Sequence, residues 1–493
     1  MDQAATGASA TGTEEPPLSE GEKNAIIAGV LISMLLAALD QAIVAPAMPT
    51  IGETLGNAQY LPWIVTGYLL TATAMAPLYG KISDVHGRRI TLYAAILIFL
   101  AGSLVSAIAP SMFVLIAGRA IQGIGGGGLF ALTQTVIGDL VPPRERARYA
   151  AWISGTWAVA SVAGPLLGGY FAQHLHWSLI FWINFPLGAL AMVIINNPLK
   201  KLTIPNKQHG IDGWGALLLV LATSLLLLAL NWAGSTYPWG SPEILGLLAC
   251  SAFLWCGFAA RVLTAREPLV TVDILRNKVI LAGTVTMFFA QAVNVGMAVY
   301  LPIYLQSALG LSASESGTAL LGLLLGTVAG AMTSGKIIPQ FIHYRRIAVF
   351  GSMLCVGSLA ILGFAADRVS LAGVEVLTTL AGIGMGAVFP VMTVSIQNAV
   401  TRANLGVATG VLTFLRSLGG ALGVALLGTV ALSYGLPLAG EAAQLPAGTH
   451  PATPFAMVFL TSAVLSVITF VLILAVPEKP LRSKFDDEVP IMA

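Results

Sequence analysis

Long apolar stretches separated by short polar ones set the character of this chain. Runs of spanning length recur at about 24–48, 60–80, 90–109, 111–138, 147–172, 178–196, 212–232 and 242–262, and then at 278–301, 312–334, 346–365, 370–397, 404–432 and 454–476. A helix needs about 20 apolar residues to cross the hydrocarbon core. Inside that core a helix satisfies every backbone polar group from within its own segment. The pattern predicts fourteen spanning helices, spans 1 to 14, in an all-α polytopic membrane protein. An even number places both termini on one side.

Composition agrees. Of 493 residues, 56% are hydrophobic and 9% charged, with a mean hydropathy of +0.85. So little charge makes the bilayer the solvent. The 53 glycines and 26 prolines suit membrane helices, where they permit close packing and kinks. Cys250, Cys256 and Cys355 lie in apolar runs at spacings that suggest neither a disulfide nor a metal site. The six histidines fall in predicted loops, which argues against a histidine proton relay in the membrane. Residues 1–23 are polar and acidic, unlike a signal peptide, and read as a disordered cytoplasmic tail.

The basic residues fix an orientation. Of 24 lysines and arginines, 21 fall on the face that receives Lys23, Lys81, Arg88, Arg144, Lys200, Arg261, Lys336, Arg402 and Lys479. Only Arg368 falls on the other face, and Arg119 and Arg416 fall inside spans. The positive-inside rule then puts both termini in the cytoplasm.

The two ends of the chain repeat one another. Gly80-Lys81-Ile82 with Arg88-Arg89 matches Gly335-Lys336-Ile337 with Arg345-Arg346. Gly123-Ile124-Gly125 with Phe130 matches Gly382-Ile383-Gly384 with Phe389, and Gly155 with Gly164 matches Gly410 with Gly419. The offsets are 255, 259 and 255, as a duplication requires. The expected organisation is a tail (1–23), a six-helix bundle (24–196), two central helices with basic flanks (197–277), a second six-helix bundle (278–476) and a tail (477–493).

Several polar groups stand where apolar ones would be cheaper. Asp40 lies in span 1, roughly 24 Å along the helix from Asn24 at 1.5 Å per residue. An intramembrane carboxylate needs a partner, water or a proton. It is either held in a permanent ion pair or acts as a proton-binding group, since desolvation favours the neutral form and a nearby arginine the ionised one. Arg119 in span 4 lies at a similar depth, followed one turn later by Gln122. Arg119 either exchanges contact with Asp40 or is a fixed strut between spans 1 and 4. Arg416 in span 13 either neutralises an anionic substrate or pairs with helix ends. Gln122, Arg416 and Asn294 are the polar residues expected in a substrate cavity. Glu315 and Glu375 read as solvated rim residues, and Asp139 has the depth to meet Arg88.

Span 5 carries Gly164-Pro165-Leu166-Leu167-Gly168-Gly169, a bend with a tight helix contact. The glycine run at 123–128 lies in a span and lacks the Lys-Ser/Thr ending of a phosphate cradle. No nucleotide site, catalytic triad, cofactor or metal cluster is indicated, and nothing points to nucleic acid.

Between spans 2 and 3 runs Gly80-Lys81-Ile82-Ser83-Asp84-Val85-His86-Gly87-Arg88-Arg89-Ile90-Thr91-Leu92, read as a thirteen-residue turn. It closely resembles the G-x-L-a-D-r-x-G-r-k loop of the major facilitator superfamily. With the 39–49 segment, Arg119 with Gln122-Gly123, the Gly164-Pro165 run, Trp182-Ile183-Asn184-Phe185-Pro186, Leu301-Pro302 and Arg416 with its glycines, the chain resembles the fourteen-spanner drug:proton antiporters, the EmrB/QacA-like group. The resemblance implies the major facilitator fold, two six-helix repeats plus two additional central helices. It implies that Asp40 and Arg119 couple protons and that Asp84, Arg88 and Asp139 lock the inner faces of the two halves. It also implies that Gly164, Pro165, Gly168 and Gly169 act in an exporter-specific switch. The chain departs from the family pattern at Val85, where a base is usual, and its second copy of the loop lacks the acid.

The expected function is a proton-driven exporter of small amphiphiles in a bacterial inner membrane. Few acids accompany the two intramembrane arginines, which favours neutral or weakly acidic substrates. The rivals are an exporter dedicated to a metabolite, lipid or siderophore, and a non-transporting receptor or assembly factor. Some relatives work with a periplasmic adaptor and an outer-membrane channel; the longest outer loop here, about 433–453, leaves such partners open.

Overall fold

Each apolar run becomes one helix or a helix with a single break. A computed structural model describes residues 19–57, 60–201, 210, 212–234, 236–401, 404–435 and 452–481. Most of the two tails, part of the 197–212 linker and the 436–451 loop lie outside the described residues. The fourteen spans are Glu20–Leu55, Leu61–His86, Arg88–Ala107, Met112–Leu140, Pro143–His174, Leu179–Asn196, Gly213–Trp232, Pro242–Thr264, Lys278–Ser307, Glu315–Gln340, Arg345–Ala365, Leu371–Asn398, Leu405–Ser433 and Thr453–Ala475.

Two departures from the sequence reading have physical causes. The thirteen-residue turn is mostly helix. Span 2 continues to His86 and span 3 starts at Arg88, so only Gly87 is left between them, at φ 85°. Hydropathy marks where a helix leaves the apolar core, whereas the helix itself persists through polar residues until the backbone needs a left-handed residue. Span 1 begins at Glu20, where Ser19 and Glu22 form a capping box, and it breaks near its far end. Its helix stops at Ile43, Ala45–Ala47 forms a 3-10 turn, and a second helix runs Met48–Leu55. Pro46 and Pro49 lack the N–H groups that a continuous helix would use there.

Both ends of the described chain lie on one face. There Lys201 pairs with Glu22 and Glu478 accepts the Arg345 backbone N–H at 2.8 Å. This side is the termini face. Span 4 packs on spans 2 and 3 as span 12 packs on spans 10 and 11. The glycines of span 4 make this possible: a Cβ on Gly125 would meet Ala95 O and Phe99 N at 2.5 Å. One buried apolar cluster draws on the first six spans (Val30, Phe99, Leu132), and another is built mainly from spans 9 to 14 with Leu219 and Leu227 of span 7. The two sets meet where span 2 crosses span 13 and span 5 crosses span 10. Span 7 lies beside the first crossing, touching spans 2 and 13, with Trp232 edge-on to Trp63 at 5.7 Å.

Candidate functional site

Between the two sets of spans lies a cavity of about 1270 Å³. Its wall includes Ser307, Leu432 and Pro454, at the far ends of spans 9, 13 and 14. Toward the termini face it stops at Gln134, Ala76 and Thr413, each several residues short of that surface. Beyond them the protein is closed.

Polar contacts between the two sets make that closure. The Asp84 carboxylate accepts the backbone N–H groups of Gly406 at 3.2 Å and Val407 at 2.9 Å, at the start of span 13. Orphan N–H groups and the helix dipole make such an end attractive to an anion. Asp84 and Asp139 share Arg88, whose Nη1 and Nε reach them at 2.5 and 2.6 Å. All three are buried. Gly80 permits the crossing, because a Cβ there would meet the Gly406 carbonyl carbon at 2.9 Å. On the other side of the interface, Arg144 Nε donates to Pro339 O at 3.1 Å and Arg146 Nη1 to Gln397 O at 3.3 Å. Arg146 also binds Val141 O at 2.8 Å and Gly138 O at 2.5 Å, capping the end of span 4. In the sequence it was one base among many.

Asp40 and Arg119 form an ion pair with no solvent-exposed surface to speak of (0% and 1%). Arg119 Nη1 also donates to Gln122 Oε1 at 2.6 Å and Nε to Ile64 O at 3.1 Å, and its guanidinium lies 4.5 Å from the Tyr68 ring centroid. Gln122 Nε2 donates to Asp40 Oδ1 at 2.7 Å and to Ser103 at 2.7 Å. Asn184 Nδ2 adds a donor to Asp40 Oδ1 at 3.0 Å. The carboxylate is thus fully partnered, as a buried charge must be. Arg119 and Tyr68 stand in the cavity wall with Asp40 behind them.

Gln122 therefore does not face the cavity, contrary to expectation. It is fully buried among Asp40, Arg119 and Ser103. One residue is 100° of helix rotation, and hydropathy does not resolve which side of a wall a polar group takes. The sequence does not mark Asn184 and Ser103 as site residues; a lone amide and a hydroxyl carry no spacing signal. Asn184 Oδ1 has no partner among the described residues. It is an acceptor next to a carboxyl that becomes a donor when protonated.

Asn294 and Arg416 do line the cavity. Asn294 Nδ2 reaches Thr327 Oγ1 at 3.4 Å. Among the described residues Arg416 pairs with no helix end: its Nε donates to Gln291 Oε1 at 3.0 Å and its guanidinium lies 4.8 Å from the Phe389 ring centroid. Among the described residues Arg119 and Arg416 are the charged side chains of the lining. Glu315 is exposed in a capping box with Ser312, and Glu375 is exposed near the start of span 12.

The span 5 motif divides by face. Gly164 and Gly168 lie against Ala42 and Ile43 of span 1, just past Asp40 and just before the break. A Cβ on Gly168 would meet the Ile43 carbonyl carbon at 3.0 Å, whereas one on Gly169 would meet nothing within 4 Å. Pro165 is on the exposed side.

A family model described as Major Facilitator Superfamily matches residues 30–424. The chain belongs to that superfamily. Multidrug transporter protein MdtP of Bacillus subtilis is 32% identical to it over 414 residues, covering 83% of this chain and 76% of that protein. Multidrug resistance protein 3 of the same organism is 32% identical over 405 residues, covering 82% and 79%. Among solved structures, the human organic anion transporter MFSD10 (TETRAN) matches with a TM-score of 0.65 at 17% identity, covering 93% of this chain and 100% of that one. The proton:xylose symporter XylE matches with a TM-score of 0.63 at 16% identity, covering 93% and 97%. At such identities these two show the fold alone, the major facilitator fold. The superfamily consists of transporters, and this member is not an enzyme.

Proposed function

We propose that the chain is a proton-coupled exporter of amphiphilic small molecules, working by alternating access in a bacterial inner membrane with both termini in the cytoplasm. The observation that carries this reading is the buried Asp40–Arg119 pair directly behind the wall of a cavity that is closed on the termini face. The multidrug relatives support export, and the bias of basic residues supports the orientation. The spans divide into two six-helix halves, 24–196 and 278–476, that rock about the cavity while spans 7 and 8 join them.

In this arrangement the cavity faces outward. A proton arriving from that side neutralises Asp40, which then turns from acceptor to donor and releases its hold on Arg119. Arg119 keeps its charge and its bonds to Gln122 and Ile64 O. The change lies one turn from the break in span 1, where Gly164 and Gly168 press span 5 against Ala42 and Ile43. Span 5 carries Arg144 and Arg146, which help to close the termini face. Protonation at Asp40 and opening toward the cytoplasm are thereby joined through one packed contact. Substrate entering from the cytoplasm drives the proton off, and the cycle returns.

The test is binding-linked proton release from the purified protein across cationic, neutral and acidic amphiphiles, with Asp40→Asn as comparison. The parent releases protons on binding and Asp40→Asn binds without release. Equal release from both removes Asp40 from the mechanism, and no release from the parent with bound substrate overturns the reading.

A further inference from the structure

The two arginines of the cavity wall are not electrically equivalent. Arg119 is neutralised by Asp40. Arg416 has no carboxylate partner among the described residues, and no acid lines the cavity there. Its one hydrogen-bond acceptor among them is the neutral Gln291 amide, and its other neighbour is the Phe389 ring. A guanidinium cannot shed its proton, so an uncompensated one inside the membrane is costly unless water or an anion meets it. The planar fork has five donors and here spends one of them on protein.

We infer that Arg416 is the head-group site for an amphiphilic organic anion, a carboxylate, sulfonate or comparably acidic group attached to an apolar body. The inference rests on the exporter reading and narrows its substrate class. Asn294, on the same helix as Gln291, supplies a neighbouring polar group on this side of the cavity. Phe130 and Trp157, stacked at 5.2 Å and 10°, give the cavity a flat aromatic surface of the kind that an apolar body occupies. A cavity of about 1270 Å³ is far larger than an inorganic anion needs. A dication would meet the uncompensated charge of Arg416 and, among the described lining residues, no acid.

The inference also changes the energetics of exchange. Exporting a monoanion against one entering proton moves two charges in the same electrical sense, against one for a neutral substrate. Both then run with an inside-negative membrane potential, the anion more steeply.

A matched set tests it: a naphthalene sulfonate, the corresponding neutral sulfonamide and a naphthyl trimethylammonium cation. Each is titrated by tryptophan quenching into the full chain in phosphatidylcholine vesicles, where no lipid carries net charge. The expected order is sulfonate tightest and cation weakest. Arg416→Gln weakens the sulfonate by on the order of tenfold to a hundredfold, the range for hydrogen bonds to a charged group, and leaves the sulfonamide within about twofold. Arg416→Lys retains part of the sulfonate affinity. Unchanged sulfonamide binding shows that the variants are folded. The inference is overturned if the cation binds the parent as tightly as the sulfonate, if the sulfonate does not bind, or if Arg416→Gln weakens all three alike.

Proton release in the same titrations separates the two readings. Sulfonamide-linked release without sulfonate binding leaves the exporter standing and removes the anion site. Arg416-dependent sulfonate binding without any release leaves the anion site and removes proton coupling.

Discussion

Asp84 accepts the backbone N–H of Val407 at 2.9 Å, joining the end of span 2 to the first turn of span 13 across the interface between the two sets of spans. The same carboxylate is shared with Arg88, which in turn holds Asp139 at the end of span 4. Three spans of one set are thereby fastened to a helix end of the other by one buried charge cluster. Its strength is directional: the N–H groups of a helix start need an acceptor, and a carboxylate is a better one than water-excluded amide oxygen.

Asp84→Asn keeps the shape and removes the charge. Hydrogen bonds to charged groups contribute about 1.5–3 kcal/mol, so the closed termini face loses population on the order of tenfold or more. Spin labels at His86 and Asn404 read this as a longer component in their distance distribution. An unchanged distribution would show that Asp84 does not hold the two ends together.

The span 5 glycines separate by contact. Gly168→Ala places a methyl on the Ile43 carbonyl of span 1, while Gly169→Ala places it in open space. Overpacking of this kind costs about 1–3 kcal/mol. Gly168→Ala should lower both thermal stability and exchange rate, and Gly169→Ala should alter neither by much. Equal sensitivity at both positions would mean that the motif acts through something other than the span 1 contact.

Arg119→Lys tests geometry against charge. The guanidinium reaches Asp40, Gln122 and Ile64 O at once, with the Tyr68 ring against it. A single ammonium cannot reproduce that fork, and each orphaned buried group costs about 1–3 kcal/mol. Exchange should fall by on the order of tenfold or more, with a lower unfolding midpoint. Full activity in Arg119→Lys would reduce the role of Arg119 to charge alone.

Much of this was legible from the chain. Apolar runs located all fourteen spans, and helical rise placed Asp40 and Arg119 at one depth before any contact was known. Depth is a one-dimensional quantity, however, and rotation is not. Depth alone thus suggests Gln122 for the cavity although it lies behind the wall, while Asn184, two spans further along the chain, joins the same carboxylate without any signal in the sequence. Hydropathy falls at the polar ends of spans 2 and 3 and so suggests a turn, although the helix continues to His86. In the sequence Arg146 is one basic charge among many, whereas its geometry caps span 4 and reaches span 12.

In the proposed cycle Asp40 couples protons to substrate and is not needed for substrate exchange itself. Proteoliposomes under an imposed pH gradient test it, with parent, Asp40→Glu and Asp40→Asn compared for gradient-driven accumulation and for gradient-free counterflow. Removing one partner of a buried pair destabilises by about 3–5 kcal/mol, so retained counterflow also reports a folded protein. Asp40→Asn is expected to exchange substrate without concentrating it, while Asp40→Glu retains part of the accumulation. Accumulation by Asp40→Asn at the parent's level would contradict that coupling.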